Sequence, residues 1–106
     1  MISIEDFAKV ELAVGKVIEA RRVEGSKKLI VMKVDTGGER QIVAGIGKSY
    51  TPEALVGKQI VVVVNLQPAL LMNTESQGML LAASDAEGNA VIISPEKEAI
   101  VGSRIK

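Results

Sequence analysis

The 106-residue chain has no cysteine, histidine or tryptophan, and only one phenylalanine and one tyrosine. The missing thiols exclude disulfides and thiol chemistry. Without imidazoles there is no histidine general base, and the usual nitrogen and sulfur ligands for zinc are absent. No nucleophile–base pair with a plausible third member can be assembled from what remains, so an enzyme is not expected. Nor is a metal or cofactor, since no acidic cluster has the spacing of a calcium loop. Net charge is also lacking: 13 Lys+Arg offset 13 Asp+Glu. The apolar run at residues 60–64 is far too short to span a bilayer, so no membrane association is expected. The first ten residues carry Glu5 and Asp6 and do not read as a signal peptide. With 47% hydrophobic and 25% charged residues, the chain is expected to be a cytoplasmic, soluble single domain over residues 1–106.

Hydrophobic periodicity predicts mostly strands. Ser3, followed by Glu5 and Asp6, is placed to cap a helix of about two turns that docks Phe7 onto the body. From Val10 the apolar residues alternate through Ala20, with Gly15 marking a bulge or bend. Residues 29–34 and 41–44 read as a hairpin whose turn takes positive φ angles from Gly37-Gly38. Thr51-Pro52-Glu53 starts a short helix with a capping hydroxyl and proline at its first position. Residues 59–66 hold a β-branched run suited to a central strand covered on both faces. Two more strands, residues 77–83 and 90–93, flank a turn-rich segment at residues 85–89, and residues 102–106 close the chain. Short strands, a small helix between the third and fourth, and glycines at the bends predict an all-β, five-stranded barrel of the oligonucleotide/oligosaccharide-binding (OB) type, with C-terminal extra strands.

Two short motifs fail on inspection. Gly47-Lys48-Ser49 resembles the end of a phosphate-binding loop, but Ile42 stands where the first glycine is required. Ser94 and Lys97 have an acylating-enzyme spacing without the companion motifs. Charge is more informative. Residues 16–48 contain eight bases against four acids, a net +4, whereas residues 59–106 are net −2. One end of the barrel is therefore expected to be basic, unless these residues serve only solubility. With Phe7 and Tyr50 as the only aromatics, stacking of unpaired bases is not expected to dominate; a nucleic acid would be held by phosphate contacts and shape.

Specific strings go further. Asp6-Phe7-Ala8-Lys9-Val10-Glu11-Leu12, Val14-Gly15, Lys28-Leu29, Gly45-Ile46, Tyr50-Thr51-Pro52-Glu53, Leu55-Val56-Gly57-Lys58, Asn65-Leu66, Pro68, Glu75-Ser76-Gln77-Gly78-Met79 and Leu80-Leu81-Ala82-Ala83 occur in that order. Together they resemble the tRNA-binding domain found at the C-terminus of many methionyl-tRNA synthetases and as small stand-alone proteins. The resemblance covers essentially the whole chain. It implies an OB barrel, a symmetric homodimer, and recognition of folded tRNA by shape, in support of methionyl-tRNA synthetase and without catalysis. A related branch resembles protein-export chaperones that bind peptides.

The resemblance also implies a groove. Lys28 would neutralise phosphate, Asn65 and Ser76 would hydrogen-bond ribose or phosphate, and Met79 would make an adaptable apolar contact, with Lys16, Lys33 and Arg40 assisting. Structural readings stand beside these: Asn65 and Ser76 as turn residues that satisfy local backbone, and Met79 in the core. Ala13, Gln67, Ala69 and Leu70 occupy positions that are usually basic in the family. The apolar Leu70-Leu71-Met72 loop reads as core, dimer contact or peptide-binding patch.

Overall fold

A computed structural model describes residues 1–106. Its elements are α1 (Ile4–Phe7), β1 (Leu12–Arg22), β2 (Ile30–Asp35), β3 (Glu39–Ala44), α2 (Pro52–Leu55), β4 (Gln59–Val63), β5 (Ala69–Leu71), β6 (Thr74–Ser76), β7 (Met79–Leu80), β8 (Ala82–Ser84), β9 (Ala90–Ile92) and β10 (Arg104–Ile105). The antiparallel order β3-β2-β1-β4-β7 makes the expected five-stranded barrel, and β10 adds to the start of β1. It is nearly closed where the Gln77 N–H donates to the Gln41 carbonyl at 2.7 Å, bringing the approach to β7 against β3.

The core is aliphatic. Ile30, Met32, Ile42, Leu55, Ile60 and Val62 are all under 2% exposed, and each contributes about 1.5–3 kcal/mol through burial. Leu55 of α2 is buried in the same core cluster. Its helix is tied down as the Gly57 N–H donates to the Val17 carbonyl and the Val17 N–H to the Lys58 carbonyl.

Several sequence expectations need correction. β1, not the run that begins at Gln59, is the central strand, because it pairs with β2, β4 and β10. The β1 register shift falls between Val17 and Glu19. Gly15 is required for a different reason: a Cβ there would lie 2.6 Å from Val34 Cγ1. At the β2–β3 turn only Gly37 takes a positive φ, helped by its N–H donating to Asp35 Oδ1. Thr51 makes no side-chain cap, and α2 relies on Pro52 instead. Ser3 does cap, accepting from the Asp6 N–H, but α1 is a single turn with no buried residue, and Phe7 is 37% exposed. β10 covers the start of β1 through Leu12↔Ile105.

The segment at residues 77–83 is two strands. Leu81 marks the break: its N–H donates to Val61 in the barrel, while its carbonyl accepts from Ile93 beyond β9. The β8–β9 hairpin thus leaves the barrel as a separate two-stranded sheet. Its turn is built on Asp85, whose Oδ1 accepts from the Glu87 and Asn89 N–H groups at 2.9 Å. These bonds, the Asn89 N–H foremost, hold the Asp85 carboxyl below its ordinary value of 3.8. A depressed acid contributes stability that is present above its unfolded value and lost as pH falls through its folded value. The turn should therefore loosen only below about pH 3.8, seen as acid-induced shifts of the Glu87 and Asn89 amide resonances that vanish in Asp85→Ala. Unchanged amides down to pH 2 would count against this role.

Candidate nucleic-acid interface

The loop connecting β3 to α2 forms one side of a long cleft. The Gly47 N–H donates to the Lys28 carbonyl at 2.7 Å, and Arg22 Nη1 donates to the Gly47 carbonyl at 2.8 Å. These bonds fix the loop against the β1–β2 connection. The opposite side is β7, Leu81 and the β8–β9 hairpin, which Tyr50 anchors by accepting from the Ile92 N–H at 3.0 Å. Tyr50 is thus structural, with Lys58 Nζ 5.8 Å from its ring.

The cleft has two connected compartments that share Gly45, Ala82 and Ala90. One, about 380 Å³, is almost wholly apolar and includes Val43, Ile46, Met79 and Leu81. The other, about 390 Å³, is polar and includes Lys28, Lys48, Ser49, Ser84 and Asn89. An amphipathic trough of this kind can hold an anionic group at one end and an apolar one at the other.

The residues proposed from sequence separate on this geometry. Lys28 and Met79 line the cleft. Met79 is 47% exposed, so the core reading fails and the contact reading remains available. Lys28 has no carboxylate partner; the two ion pairs of the molecule are Lys9–Asp6 and Lys33–Glu19. Lys33 is exposed on the outer face of β2 with Glu19 3.7 Å away. Lys16 lies elsewhere, in a cleft of about 530 Å³ with Lys58, Glu96, Lys97 and Glu98.

Arg40, Asn65 and Ser76 are engaged in holding the fold. Arg40 donates to the carbonyls of Val64 and Gln77 and to Thr36 Oγ1, tying β3 to the segments after β4 and before β7. Asn65 Oδ1 accepts from the Glu11 N–H at 2.9 Å and its Nδ2 donates to the Lys9 carbonyl at 2.7 Å, clamping the strand entry after α1. Ser76 is 4% exposed; its Oγ accepts from the Val43 N–H and donates to the Gly78 carbonyl, both at 2.9 Å. The local-turn reading is right for only part of this, since Asn65 and Ser76 each bridge distant segments. The positive stretch at residues 16–48 is consequently dispersed: Arg22 and Arg40 bind carbonyls, Lys33 is paired, and Lys16 faces another cleft.

Lys48, Ser49, Ser84 and Asn89 were not singled out for the groove by sequence. Lys48 and Ser49 belonged to a failed phosphate-loop motif, and nothing in sequence placed residues 84–89 across from them. The Leu70-Leu71-Met72 loop is the tip of the β5–β6 hairpin. Met72 and Asn73 both take positive φ in its two-residue turn, which Leu71↔Thr74 pairing closes. Leu70 and Met72 are 71% and 54% exposed, so the core reading of this loop does not hold for them.

The family described as "Putative tRNA binding domain" matches residues 12–104. The methionine–tRNA ligase of Caldanaerobacter subterraneus is 56% identical over 98% of this chain, and that of Archaeoglobus fulgidus 52% over 98%. In each case the chain spans only 16% of the ligase's length. Among solved structures, a MetRS-related protein from Pyrococcus horikoshii superposes with a TM-score of 0.94 at 39% identity, covering 100% of this chain and 98% of that one. The chaperone CsaA of Bacillus anthracis superposes at 0.90 with 33% identity, covering 100% and 99%. The match over nearly the whole barrel, together with relatives of this identity, establishes that the chain belongs to the tRNA-binding domain family.

Proposed function

We propose that this chain is a non-catalytic module that binds folded tRNA by shape and phosphate contacts, acts as a homodimer, and assists or dimerises methionyl-tRNA synthetase in the cytoplasm. The observation that carries the reading is the amphipathic cleft. It sets an unpaired ammonium, Lys28, at one end and the exposed Met79 side chain at the other, on the barrel of a tRNA-binding family. A cation without a carboxylate partner is available to displace a condensed counterion from phosphate, which makes binding salt-dependent. The small count of aromatics directs recognition toward backbone and shape.

Dimerisation draws support from α1. Ile2 and Ile4 are 71% and 73% exposed, Phe7 is 37% exposed, and no residue of the helix is buried within the protomer. The apolar side chains of Ile2, Ile4 and Phe7 gain burial only against another surface. Two modest sites on one rigid ligand would then raise avidity over either site by about 10²–10⁴.

The experiment is a titration of folded tRNA in rising salt with wild type and Lys28→Ala. The slope of log affinity against log salt should fall by about 0.7–0.9 for each phosphate that the variant no longer neutralises. Binding indifferent both to salt and to Lys28 would sink the reading.

A second reading follows from the β5–β6 hairpin, which exposes Leu70, Leu71 and Met72. A protein-interaction or export-chaperone-like dimer would present such a surface to client peptides, with weak or no tRNA binding. Competition between an apolar peptide and tRNA, or peptide binding without tRNA binding, would favour it.

A further inference from the structure

We infer that the polar compartment of the cleft is a seat for one backbone phosphate of the RNA, clamped between Lys28 and Lys48, and that Gly45 is a positioning residue that aims Lys28 into it. This deepens the proposed tRNA-binding function and rests on it. Sequence pattern counts Lys48 only as one base of the residue 16–48 stretch and as part of a failed phosphate-loop motif, so its pairing with Lys28 comes from the fold.

Three observations carry it. First, Lys28 and Lys48 line the same compartment, and neither has a carboxylate within ion-pair distance. In the same basic stretch Lys33 is paired with Glu19, and the guanidinium groups of Arg22 and Arg40 are held by hydrogen bonds to carbonyl oxygens. Asp85 stands at the neighbouring end beside Lys48, but its oxygens are turned toward the N–H groups of Glu87 and Asn89. Second, Ser49 and Ser84 bring two hydroxyls to the lining of this compartment. Unlike the hydroxyls of Ser3, Ser26 and Ser76, they have no partner within the chain. Two ammonium groups with two unengaged hydroxyls form a donor set suited to a tetrahedral oxyanion.

Third, the lysine is seated. A Cβ on Gly45 would lie 2.8 Å from Lys28 Cε, 3.6 Å from its Cγ and 3.7 Å from its Cδ, and its three nearest neighbours are all this one side chain. The aliphatic stem of Lys28 therefore runs along the bare backbone of Gly45, which removes rotamers that would carry the ammonium away from the cleft. Gly45 is not held at a positive φ, so alanine is compatible with its backbone. What alanine would displace is the far end of a flexible side chain. The substitution should leave folding intact and move the charge.

The test measures folded-tRNA affinity against salt for wild type, Lys48→Ala, Lys28→Ala, Gly45→Ala and the Gly45→Ala/Lys28→Ala pair, with a thermal melt of each. Lys48→Ala should weaken binding about tenfold or more at low salt, in line with removal of one charge-assisted hydrogen bond. Gly45→Ala should retain the wild-type melting temperature, weaken binding about threefold, and add nothing in the Lys28→Ala background, as expected when a residue acts only through another. Amide spectra of wild type provide a separate readout: tRNA, and more weakly millimolar inorganic phosphate, should shift Lys48, Ser49 and Asn89. If tRNA binds wild type but Lys48→Ala changes neither affinity nor salt slope, the clamp is wrong while the proposed function stands. A threefold loss that persists in the Lys28→Ala background would overturn the role of Gly45. Shifts with phosphate but not with tRNA would assign the seat to a free phosphate and overturn the RNA assignment. Failure of wild type to bind tRNA at any salt would overturn the proposed function itself.

Discussion

Gly78→Ala should destabilise the domain by about 3 kcal/mol or more and lower its melting temperature by well over 10 °C. Gly78 has a φ of +144°, a backbone region that an L side chain rarely adopts. A Cβ there would also lie 2.7 Å from the Val63 carbonyl oxygen and 2.9 Å from Ile42 Cδ1. The first neighbour is backbone in β4 and the second belongs to a fully buried core residue, so neither can yield without moving a barrel strand. Backbone strain of ~1–3 kcal/mol and overpacking of similar size act together here. For a domain of this length each 1 kcal/mol shifts the midpoint by about 4–8 °C. Thermal melting followed by far-ultraviolet circular dichroism checks it; a midpoint within a few degrees of wild type would show that the closure between β3 and β7 is far more pliable than described. Gly45→Ala is the natural control, because there the displaced atoms are only the end of a lysine side chain.

The second large effect is expected at Ser76. Its Oγ satisfies the Val43 N–H and supplies a donor to the Gly78 carbonyl, in a site only 4% exposed. Ser76→Ala leaves the Val43 donor without its partner, and an unsatisfied buried group costs ~1–3 kcal/mol. The informative comparison is with Lys28→Ala. Ser76→Ala should lower the denaturation midpoint while the folded variant keeps the wild-type dependence of tRNA binding on salt; Lys28→Ala should do the reverse. A Ser76→Ala protein of native stability with weakened tRNA binding would return Ser76 to the direct contacts that the family resemblance implies.

These two residues also show what sequence could convey. Strand content, the position of α2 and the five-stranded barrel were legible because alternating aliphatic residues and β-branched runs leave few other ways to bury a core of this size. Gly15 was legible as special but not for the right reason, since its demand arises from Val34, a residue in another strand. The same holds at the site. Lys28 and Met79 were found by resemblance to the family, and both line the cleft. Arg40, Asn65 and Ser76 look identical in sequence whether they reach a ligand or the protein backbone, and each has a backbone partner 24 to 56 positions away in the chain. Lys48 was obscured for the opposite reason. Local pattern read it as one base of a dispersed stretch and as part of a failed phosphate loop, whereas its neighbours in the cleft include Lys28 and residues of the β8–β9 hairpin.

The detachment of that hairpin gives the cleft an asymmetric mechanics. One bank is continuous with the five-stranded ladder and shares its cooperative stability. The other starts in β7 on the same ladder, but its β8–β9 ribbon pairs only with itself and is moored by Tyr50, by Leu81, which bonds both Val61 and Ile93, and by the packing of Ala90 and Ile92 on the core. Small openings of the second bank need not disturb the first, so the trough behaves as a jaw with a stationary and a compliant side. Its width can adjust to a rounded polyanion at the entropic expense of quieting a short ribbon, with the barrel left untouched.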